Sequence, residues 1–345
     1  MSAERKIHRG VIAGLGQMGG HHLRVLGALP DVEVVGVIDP DAERRAAAIA
    51  ERPSIGAFES LAEALEQTEP DFTCIAAPAP LLAELAGASI AAGVPVFVEK
   101  PMAATSAEAT SLLRQAEAGG VLLAVGYVER FNPAVRALKQ KLDEGMLGQI
   151  YQLHARRLSP FPGRTKMLGV AFDLATHDID LMRYLTGSEV ERVFAETSRR
   201  LTDDGEDLLC ATLRLGADVT GLLEVNWMTP AKIRQLSVTG EKGMFVVDYL
   251  TQDLYFYEHP RATTDWAALA EMRGGGEGDM IRYAIERREP LRVQWEEFLS
   301  ALESGEAPAV GGGEGLAALL TAEAVQRSGE RHEVEVPERS TAALS

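Results

Sequence analysis

The sequence predicts an α/β protein with two domains, and the order of its elements carries that prediction. In the first 127 residues, short apolar strands alternate with helices, as in a doubly wound parallel sheet covered on both faces. From about Ile150, predicted strands follow one another directly, which indicates an α+β domain with a mainly antiparallel sheet. A chain of 345 residues is also too long for one ordinary core. We therefore predict domains at 1–128 and 129–345, with a connecting helix at about 131–144.

Apolar runs mark the individual elements. In the first domain the predicted strands are HRGVIAG, VEVVGVID, IGAF, DFTCIAA, VPVFVE and VLLAVGY. A helix is predicted to begin at Thr105, because Thr-x-x-Glu ending at Glu108 forms a capping box. In the second domain the predicted strands are QIYQLHARRL, ERVFAETSRRL, DLLCATLRLG, VTGLLEVNWM, IRQLSVTG and MFVVDYL, and the predicted helices are FDLATHDIDLMRYL, VQWEEFLSALESG and GLAALLTAEAVQRSG. The GGGEGD and VGGGEG stretches are predicted to be mobile loops.

The composition excludes several classes of protein. A net charge of −17 argues against nucleic acid or an anionic membrane as the main partner, because both require a basic face. No apolar run reaches the ~20 residues of a membrane span, and the N-terminus lacks the apolar stretch of a signal peptide. We therefore expect a cytoplasmic protein. Cys74 and Cys210 lie in apolar runs, which predicts small core residues rather than a disulfide framework.

The motif GLGQMG follows the first strand and opens a helix, as a dinucleotide-binding turn does. Gly14 permits the tight turn, Gly16 lets the backbone approach a pyrophosphate, and Gly19 allows close packing of helix and strand. The exposed N–H groups at the helix N-terminus then face the phosphates. The predicted cofactor contacts of this segment are Gly14, Gly16, Gln17, Met18 and Gly19.

Asp39 ends the second strand and predicts the choice of cofactor. A carboxylate at this position accepts hydrogen bonds from a ribose 2′-hydroxyl and repels a 2′-phosphate, which favours NAD over NADP. An alternative is that the Asp-Pro pair only caps the next helix. Arg44 and Arg45 follow closely and would favour a 2′-phosphate if they faced it.

Lys100 lies at the end of the strand VFVEKP, where an apolar run stops in charged residues. Ligands of open α/β sheets bind beyond the carboxyl ends of the strands, so Lys100 is predicted to emerge beside the reactive end of the dinucleotide. Pro101 is expected to hold Lys100 in an extended conformation. A fixed ammonium group there can bind a substrate hydroxyl and stabilise developing charge. The alternative is a solvated strand end.

Asp173 and His177 are spaced to share one face of a helix, and Asp180 follows on the same face. A histidine can take the proton of an alcohol, and a neighbouring carboxylate can orient the ring and the substrate. The alternatives are an ion-paired helix end and a metal site, which lacks further ligands. The paired histidines His21 and His22 are expected to be surface or packing residues.

Basic residues cluster at two places in this acidic chain. HARRLSPFPGR carries three arginines, and WMTPAKIR adds Trp227, Lys232 and Arg234. Such a cluster can hold a diphosphate, and Trp227 or Tyr127 can stack a base or sugar. The alternative is that each arginine forms salt bridges with the many acidic residues.

These motifs together resemble the Gfo/Idh/MocA family of oxidoreductases. GLGQMG, Asp39, VEKP and the Asp173–His177 spacing occur in the order of that family and cover nearly the whole chain. The resemblance implies a Rossmann domain followed by an open-faced sheet, a nicotinamide cofactor, sugar or cyclitol substrates, and a catalytic trio of Lys100, Asp173 and His177. GYVERFNPAV, DLATHDIDLMRYL and NWMTPAKIRQLSVTGEKG are similar to a subgroup that oxidises the 3-hydroxyl of UDP-N-acetylglucosamine.

The resemblance also implies further contacts and one departure. The family often places a histidine after the fourth strand, where this chain has Leu82 in the segment that begins at Ala77. Further cofactor contacts are expected at Ala77, Pro78 and Glu99. The expected substrate contacts are Tyr127, Arg130, Asn132, Arg156, Arg157, Arg164, Trp227 and Arg234.

We therefore predict an NAD-dependent dehydrogenase that oxidises C3 of a UDP-N-acetylhexosamine. A dehydrogenase of a free sugar, aminosugar or inositol-type cyclitol is the first alternative, and a non-catalytic NAD-binding sensor is the second. An open-faced sheet with apolar strands requires a cover. We accordingly expect a homodimer or homotetramer formed through that face.

Overall fold

The computed structural model describes residues 6–50, 52–163, 168–201, 205–259 and 278–339. The chain divides into two compact units. The first contains the residues up to Val128 together with Glu289–Leu319, and the second contains Glu129–Arg288 and Leu320–Glu338. The predicted division at 128/129 treated the domains as consecutive, whereas the chain returns to the first unit after the second. Among the described residues, no helix is both long enough and apolar enough to cross a membrane.

A six-stranded parallel sheet forms the centre of the first unit, in the order β3-β2-β1-β4-β5-β6. Its strands are β1 (His8–Ala13), β2 (Val32–Ile38), β3 (Gly56–Phe58), β4 (Phe72–Ile75), β5 (Val96–Val98) and β6 (Leu123–Val125). The helices between them are α1 (Gln17–Leu26), α2 (Ala42–Ile49), α3 (Leu61–Thr68), α4 (Ala79–Ala91) and α5 (Ser106–Gly119). The Thr105–Glu108 capping box is present at the start of α5.

An eight-stranded sheet forms the second unit, in the order β14-β13-β12-β11-β7-β10-β9-β8. Its strands are β7 (Ile150–Leu158), β8 (Val190–Ser198), β9 (Leu208–Leu215), β10 (Val219–Asn226), β11 (Ile233–Gly240), β12 (Gly243–Asp248), β13 (Asp253–Glu258) and β14 (Met280–Arg282). The pairing of β7 with β10 is parallel and the others are antiparallel. Helices α6 (Pro133–Asp143) and α7 (Thr176–Thr186) belong to this unit. The sequence prediction omitted β13 and β14.

One face of the second sheet is buried and the other is not. Burial alternates along the strands, as in β10, where Leu223 and Val225 are buried and their neighbours are partly exposed. Helix α7 covers the buried face so closely that a Cβ on Gly221 would lie 2.8 Å from Met182 Sδ. Cys74 lies in the core as predicted, but Cys210 is exposed because it points to the uncovered face of β9. Burial nevertheless raises the pKa of both thiols.

Two C-terminal helices, α8 (Pro290–Ser304) and α9 (Gly312–Arg331), complete the chain. Helix α8 packs on the parallel sheet, with the ring of Trp295 4.5 Å from that of Phe97 between centroids. The prediction of a mobile loop at VGGGEG was wrong, because α9 begins inside it. Its glycines permit close packing: a Cβ on Gly315 would lie 2.6 Å from Met102 Sδ. Most of the GGGEGD stretch lies outside the described residues.

Candidate active site

The glycine turn between β1 and α1 has the geometry that a dinucleotide requires. Gly14 has a φ of +92°, and a Cβ there would lie 2.5 Å from the carbonyl oxygen of Ala76. A Cβ on Gly19 would overlap the carbonyl oxygen of Gly14. Among the described residues, no heavy atom beyond Gly16 itself and its chain neighbours lies within 4 Å of the Cβ position of Gly16, the N-cap of α1, and no side chain forms a cap hydrogen bond with that helix. The open space at the uncapped helix end, where Gln17 and Met18 begin α1, fits a pyrophosphate.

Asp39 lies at the carboxyl end of β2 and is 4% exposed. Its carboxylate accepts hydrogen bonds from the backbone N–H of Leu15 at 2.8 Å and of Asp41 at 2.9 Å. The cap of α2 is Asp41, which accepts from Glu43 and Arg44 N–H, so Asp39 does not cap that helix. These bonds fix the Asp39 carboxylate beside the glycine turn, where it fits a ribose hydroxyl.

The side chains of the two arginines after Asp39 lie near carbonyl and carboxylate groups of the protein itself. Arg45 donates to the carbonyl oxygen of Asp39 at 2.6 Å and pairs with Glu59 at 2.9 Å. Arg44 Nη1 lies 3.8 Å from the Asp39 carboxylate. Both arrangements favour NAD, because a 2′-phosphate would have to compete with these acidic partners. Across the turn, Pro78 is the N-cap of α4, directly after Ala77. Leu82, at the family's frequent histidine position, is a core residue with 1% exposure.

Lys100 follows β5 and is half-buried, and its peptide bond to Pro101 is cis. The Lys100 backbone N–H donates to Glu99 Oε2 at 3.2 Å, and Glu99 Oε1 contacts His22 Nε2 at 2.9 Å. Both oxygens of the buried Glu99 carboxylate thus bind groups of the protein. Contact of Glu99 with the cofactor stays a prediction. His22 is fully buried, as expected of a packing residue, and His21 is exposed.

Asp173 and His177 lie on a helical segment that begins with a π turn at Ala171–Ala175 and continues as α7. The predicted segment is correct in extent, but a regular α-helix was expected. Both side chains are half-buried, with His177 in the first turn of α7 and Asp173 in the π turn. Such turns occur frequently at functional sites.

Glu206 holds the start of this segment. Its carboxylate accepts the backbone N–H of Ala171 at 2.8 Å, and its backbone carbonyl accepts that of Val170 at 2.9 Å. A Cβ on Gly169 would overlap the carboxylate. Burial raises the pKa of Glu206. The sequence analysis missed this residue, because no local pattern connects it to a helix that starts 35 positions earlier.

The remaining carboxylates of α7 are structural. Asp180, expected on the face of Asp173 and His177, is 1% exposed and accepts two bonds from Arg130, at 2.6 and 2.8 Å. This buried pair does not support the expected contact of Arg130 with substrate. Among the described residues, no group of three or more His, Cys, Asp or Glu is arranged to hold a metal ion.

Arg157 is the centre of a buried ion cluster rather than an open binding site. It donates to Asp178 at 2.6 and 3.1 Å and to Glu129 at 3.1 Å. Burial opposes its charge, but the two carboxylates outweigh burial and raise the pKa of Arg157. Burial and the charge of Asp178 also raise the pKa of Tyr249, whose hydroxyl lies 3.5 Å from that carboxylate. The expected contact of Arg157 with a diphosphate therefore finds no support.

The other predicted cations have different environments. Arg156 points to the opposite face of β7 and pairs with Glu224 at 2.9 Å, and Arg164 lies outside the described residues. Arg234 is 8% exposed and donates from Nη1 to the carbonyl oxygens of Leu158 and Ile233, at 2.7 and 2.9 Å. Within the described residues it forms no ion pair. Burial and the neighbouring Arg157 lower its pKa to about 10.

Three expected substrate contacts are almost fully buried. Asn132 caps α6 and donates to the carbonyl oxygen of Tyr249 at 3.0 Å. Tyr127 and Trp227 are 1% and 4% exposed, and the Trp227 ring meets that of Phe161 edge-on at 6.4 Å between centroids. Their burial indicates packing roles and does not support the expected stacking on a sugar or base.

Two family models match the chain and together span most of it. The oxidoreductase family model GFO/IDH/MocA, an NAD-binding Rossmann fold, matches residues 8–127, and the C-terminal domain model of the same family matches residues 135–246. The chain belongs to the GFO/IDH/MocA family. It is an NAD-binding oxidoreductase, as the glycine turn and Asp39 predict.

Individual members of the GFO/IDH/MocA family match over most of their length. UDP-N-acetylglucosamine 3-dehydrogenase of Acidithiobacillus ferrooxidans is 29% identical over 84% of this chain and 87% of its own. Inositol 2-dehydrogenase 1 of Saccharopolyspora erythraea is 30% identical over 92% of this chain and 93% of its own. A solved structure of the Acidithiobacillus enzyme has a TM-score of 0.83 at 27% identity, covering 94% of this chain and 98% of that one. These similarities confirm the predicted fold class.

Proposed function

We propose that this protein oxidises C3 of a UDP-N-acetylhexosamine with NAD as the oxidant. The similarity to UDP-N-acetylglucosamine 3-dehydrogenase supports this substrate. The observation that carries it is Arg234, a buried guanidinium with no ion pair among the described residues. Burial and Arg157 lower the pKa of Arg234, and the nearby carboxylates, with Asp173 the weakest of them, act in the opposite direction. A nucleotide-linked sugar brings an anionic diphosphate, which is the partner that such a cation requires.

The roles of the chain's residues follow from their chemistry. NAD, when bound, accepts a hydride from the substrate carbon. His177 takes the proton of the hydroxyl group, and Lys100 stabilises the negative charge that develops on the substrate oxygen. Asp173 orients the substrate or the His177 ring. Gly16 and Asp39 hold the pyrophosphate and the ribose.

A cyclitol or free sugar is the second candidate, and the similarity to an inositol 2-dehydrogenase over 92% of the chain favours it. Buried Arg130 and Arg157 also leave fewer cations for a diphosphate than the sequence predicted. A sensor that binds NAD without turnover would not need the proton acceptor His177.

An assay with three substrates separates these candidates. The full-length protein is mixed with NAD and UDP-N-acetylglucosamine, free N-acetylglucosamine or myo-inositol, and NADH absorbance gives kcat/KM. We expect the nucleotide sugar to be preferred, and Arg234→Met to lower its kcat/KM by at least ~10-fold, as loss of a charge-assisted bond implies. Arg156→Met, which breaks an exposed pair, is the matched control. Preference for inositol or the free sugar would reject the nucleotide substrate, and no turnover of any would favour the sensor.

We propose that two copies of the chain associate through the uncovered face of the second sheet. A row of partly or fully exposed side chains crosses all eight strands of this face: Phe194, Thr212, Leu222, His154, Ser237, Val246, Tyr255 and Arg282. Its apolar members favour burial against a second copy. Light scattering should give a dimer or tetramer, which Phe194→Arg weakens and Leu81→Arg, at an exposed position of α4, does not. A monomer would reject this proposal.

A further inference from the structure

We propose that Trp295 and His22 position Lys100 through Glu99, and that they are required for full turnover. A continuous chain of hydrogen bonds joins these residues inside the first unit. The Trp295 indole Nε1 donates to His22 Nδ1 at 2.9 Å, His22 Nε2 contacts Glu99 Oε1 at 2.9 Å, and Glu99 Oε2 accepts the Lys100 backbone N–H at 3.2 Å. The inference rests on the catalytic role proposed above for Lys100.

The direction of each bond follows from the first donor. An indole N–H can only donate, so His22 Nδ1 must accept and carries no proton. A neutral imidazole then bears its proton on Nε2, which donates to Glu99. Trp295 thereby selects one tautomer of His22, and that tautomer satisfies one oxygen of Glu99. The other oxygen remains oriented toward the Lys100 N–H.

The chain of bonds is shielded from water and packed without space to shift. Trp295 and His22 are fully buried, and Glu99 is 7% exposed. The His22 ring stands edge-on to Trp295, at an interplanar angle of 89°. Gly126 lies so close to the Glu99 carboxylate that a Cβ at this position would be 2.9 Å from it. A buried carboxylate without its donors is costly, so this arrangement allows Glu99 one position.

Three separate elements meet in this chain of bonds. His22 lies on α1, the helix that follows the glycine turn, and Trp295 lies on α8. Lys100 follows β5 directly. These hydrogen bonds therefore fix the position of the Lys100 backbone relative to α1, the helix whose N-terminus fits the cofactor phosphates. Catalytic groups must be held close to their working geometry, because a misplacement of ~1 Å can lower the rate about 100-fold.

Variants of the full-length enzyme test the proposal. Trp295→Phe keeps a ring but removes the N–H donor, and we expect kcat to fall about 10-fold, with a larger fall in His22→Leu. His22→Gln should restore most of kcat, because its amide can accept from Trp295 and donate to Glu99. Affinity for NADH, measured by fluorescence titration, should change little in all three. The imidazole ¹⁵N spectrum of the cofactor-free protein should show His22 protonated on Nε2.

A matched control exists at the other end of the same sheet. The buried His8, at the start of β1, forms a hydrogen bond with the exposed Glu303 of α8 at 2.8 Å. His8→Leu should lower the melting temperature, as His22→Leu does, and leave kcat unchanged. A residue that only stabilises the fold would behave like His8 in every assay.

Lys100→Ala separates failure of this inference from failure of the proposed function. If Lys100→Ala loses at least ~100-fold in kcat while Trp295→Phe and His22→Leu keep it, Lys100 is catalytic and the positioning role is wrong. Unchanged kcat in Lys100→Ala rejects both ideas. A His22 proton on Nδ1, or a His22→Gln variant no better than His22→Leu, also overturns the proposal.

Discussion

The end of β5 and the basic end of β7 were both predicted as functional segments, and the structure arranges their charged side chains differently. After β5, Glu99 and Lys100 lie together at the carboxyl end of a parallel sheet, with the Glu99 carboxylate turned back onto the Lys100 backbone. In β7, the side chains of the adjacent residues Arg156 and Arg157 point to opposite faces of the sheet and bind different carboxylates. Arg156 lies on the uncovered face of the sheet, and Arg157 lies in the buried ion cluster beneath α7.

The difference shows what a cluster in sequence means in each setting. Successive side chains of a strand point to opposite faces, so two adjacent arginines within β7 cannot bind the same diphosphate. Side chains of residues just past the end of a parallel strand need not point to alternate faces of the sheet. A charged pair is therefore a better indication of a site after a strand than inside one.

The largest effect is expected at His177, the proposed proton acceptor, on the helical segment of the second unit that begins with the π turn. His177→Gln should lower kcat by ~100-fold or more, the usual contribution of a general base. The rise of kcat/KM with pH for alcohol oxidation should disappear with it. Stopped-flow or steady-state NADH absorbance across pH measures both, with His332→Gln, at an exposed position, as the control. A variant that keeps the rate and the rise would assign the base to another group.

The next effect distinguishes the two arginines of β7. Arg157→Met leaves the buried carboxylates of Asp178 and Glu129 without their cation, which should cost about 3–5 kcal/mol of the free energy of unfolding. Arg156→Met breaks a pair that is more than a third exposed on both sides, which should cost less than about 1 kcal/mol. Urea denaturation measures both values. Equal losses would contradict the assignment of these residues to opposite faces.

A smaller effect is expected in cofactor choice. Asp39→Asn keeps an acceptor for the backbone N–H groups but removes the charge that repels a 2′-phosphate. The preference for NAD over NADP, as a ratio of kcat/KM values, should narrow by roughly 10-fold, in line with the loss of one charge-assisted hydrogen bond. If the wild-type enzyme preferred NADP, Arg44 would be the residue that decides, and the Arg44→Ala variant would show it.

The smallest effect concerns pH and Glu206. Its pKa in the folded protein is raised above the ordinary value of 4.5. Its stabilising contribution is therefore complete below that ordinary value and is lost as pH rises through the raised pKa. Glu206→Gln keeps an acceptor for the Ala171 N–H. Because glutamine does not ionise, this variant should not lose that stability as pH rises. Thermal unfolding between pH 4 and 8 should show a smaller decline of the melting temperature with rising pH in the variant. An identical decline in the wild type and the variant would exclude Glu206 as its source.

Local signals were enough to predict most of the fold and the cofactor turn. The motif GLGQMG predicts the geometry of the turn, because Gly14 and Gly19 leave no room for a Cβ and Gly16 leaves open space at the helix end. The contacts of the π turn and of His22 were not predictable, since the Glu206 carboxylate that binds Ala171 lies 35 positions away and the partners of His22 lie 77 and 273 positions away. Glycines at the start of α9 resembled a loop, because the side chains they pack against are distant in sequence.

The return of α8 to the first unit has a consequence for synthesis on the ribosome. Phe72, Phe97 and His22 are covered by Trp295 and Phe298, which are made 167 and 170 residues after Val128. At roughly 5–20 residues per second, that is a delay of about 10–30 s. For that interval the nascent parallel sheet exposes an aromatic surface. The first unit therefore stays incomplete until α8 has been made, and a chaperone that shields aromatic surface has most to do in that interval.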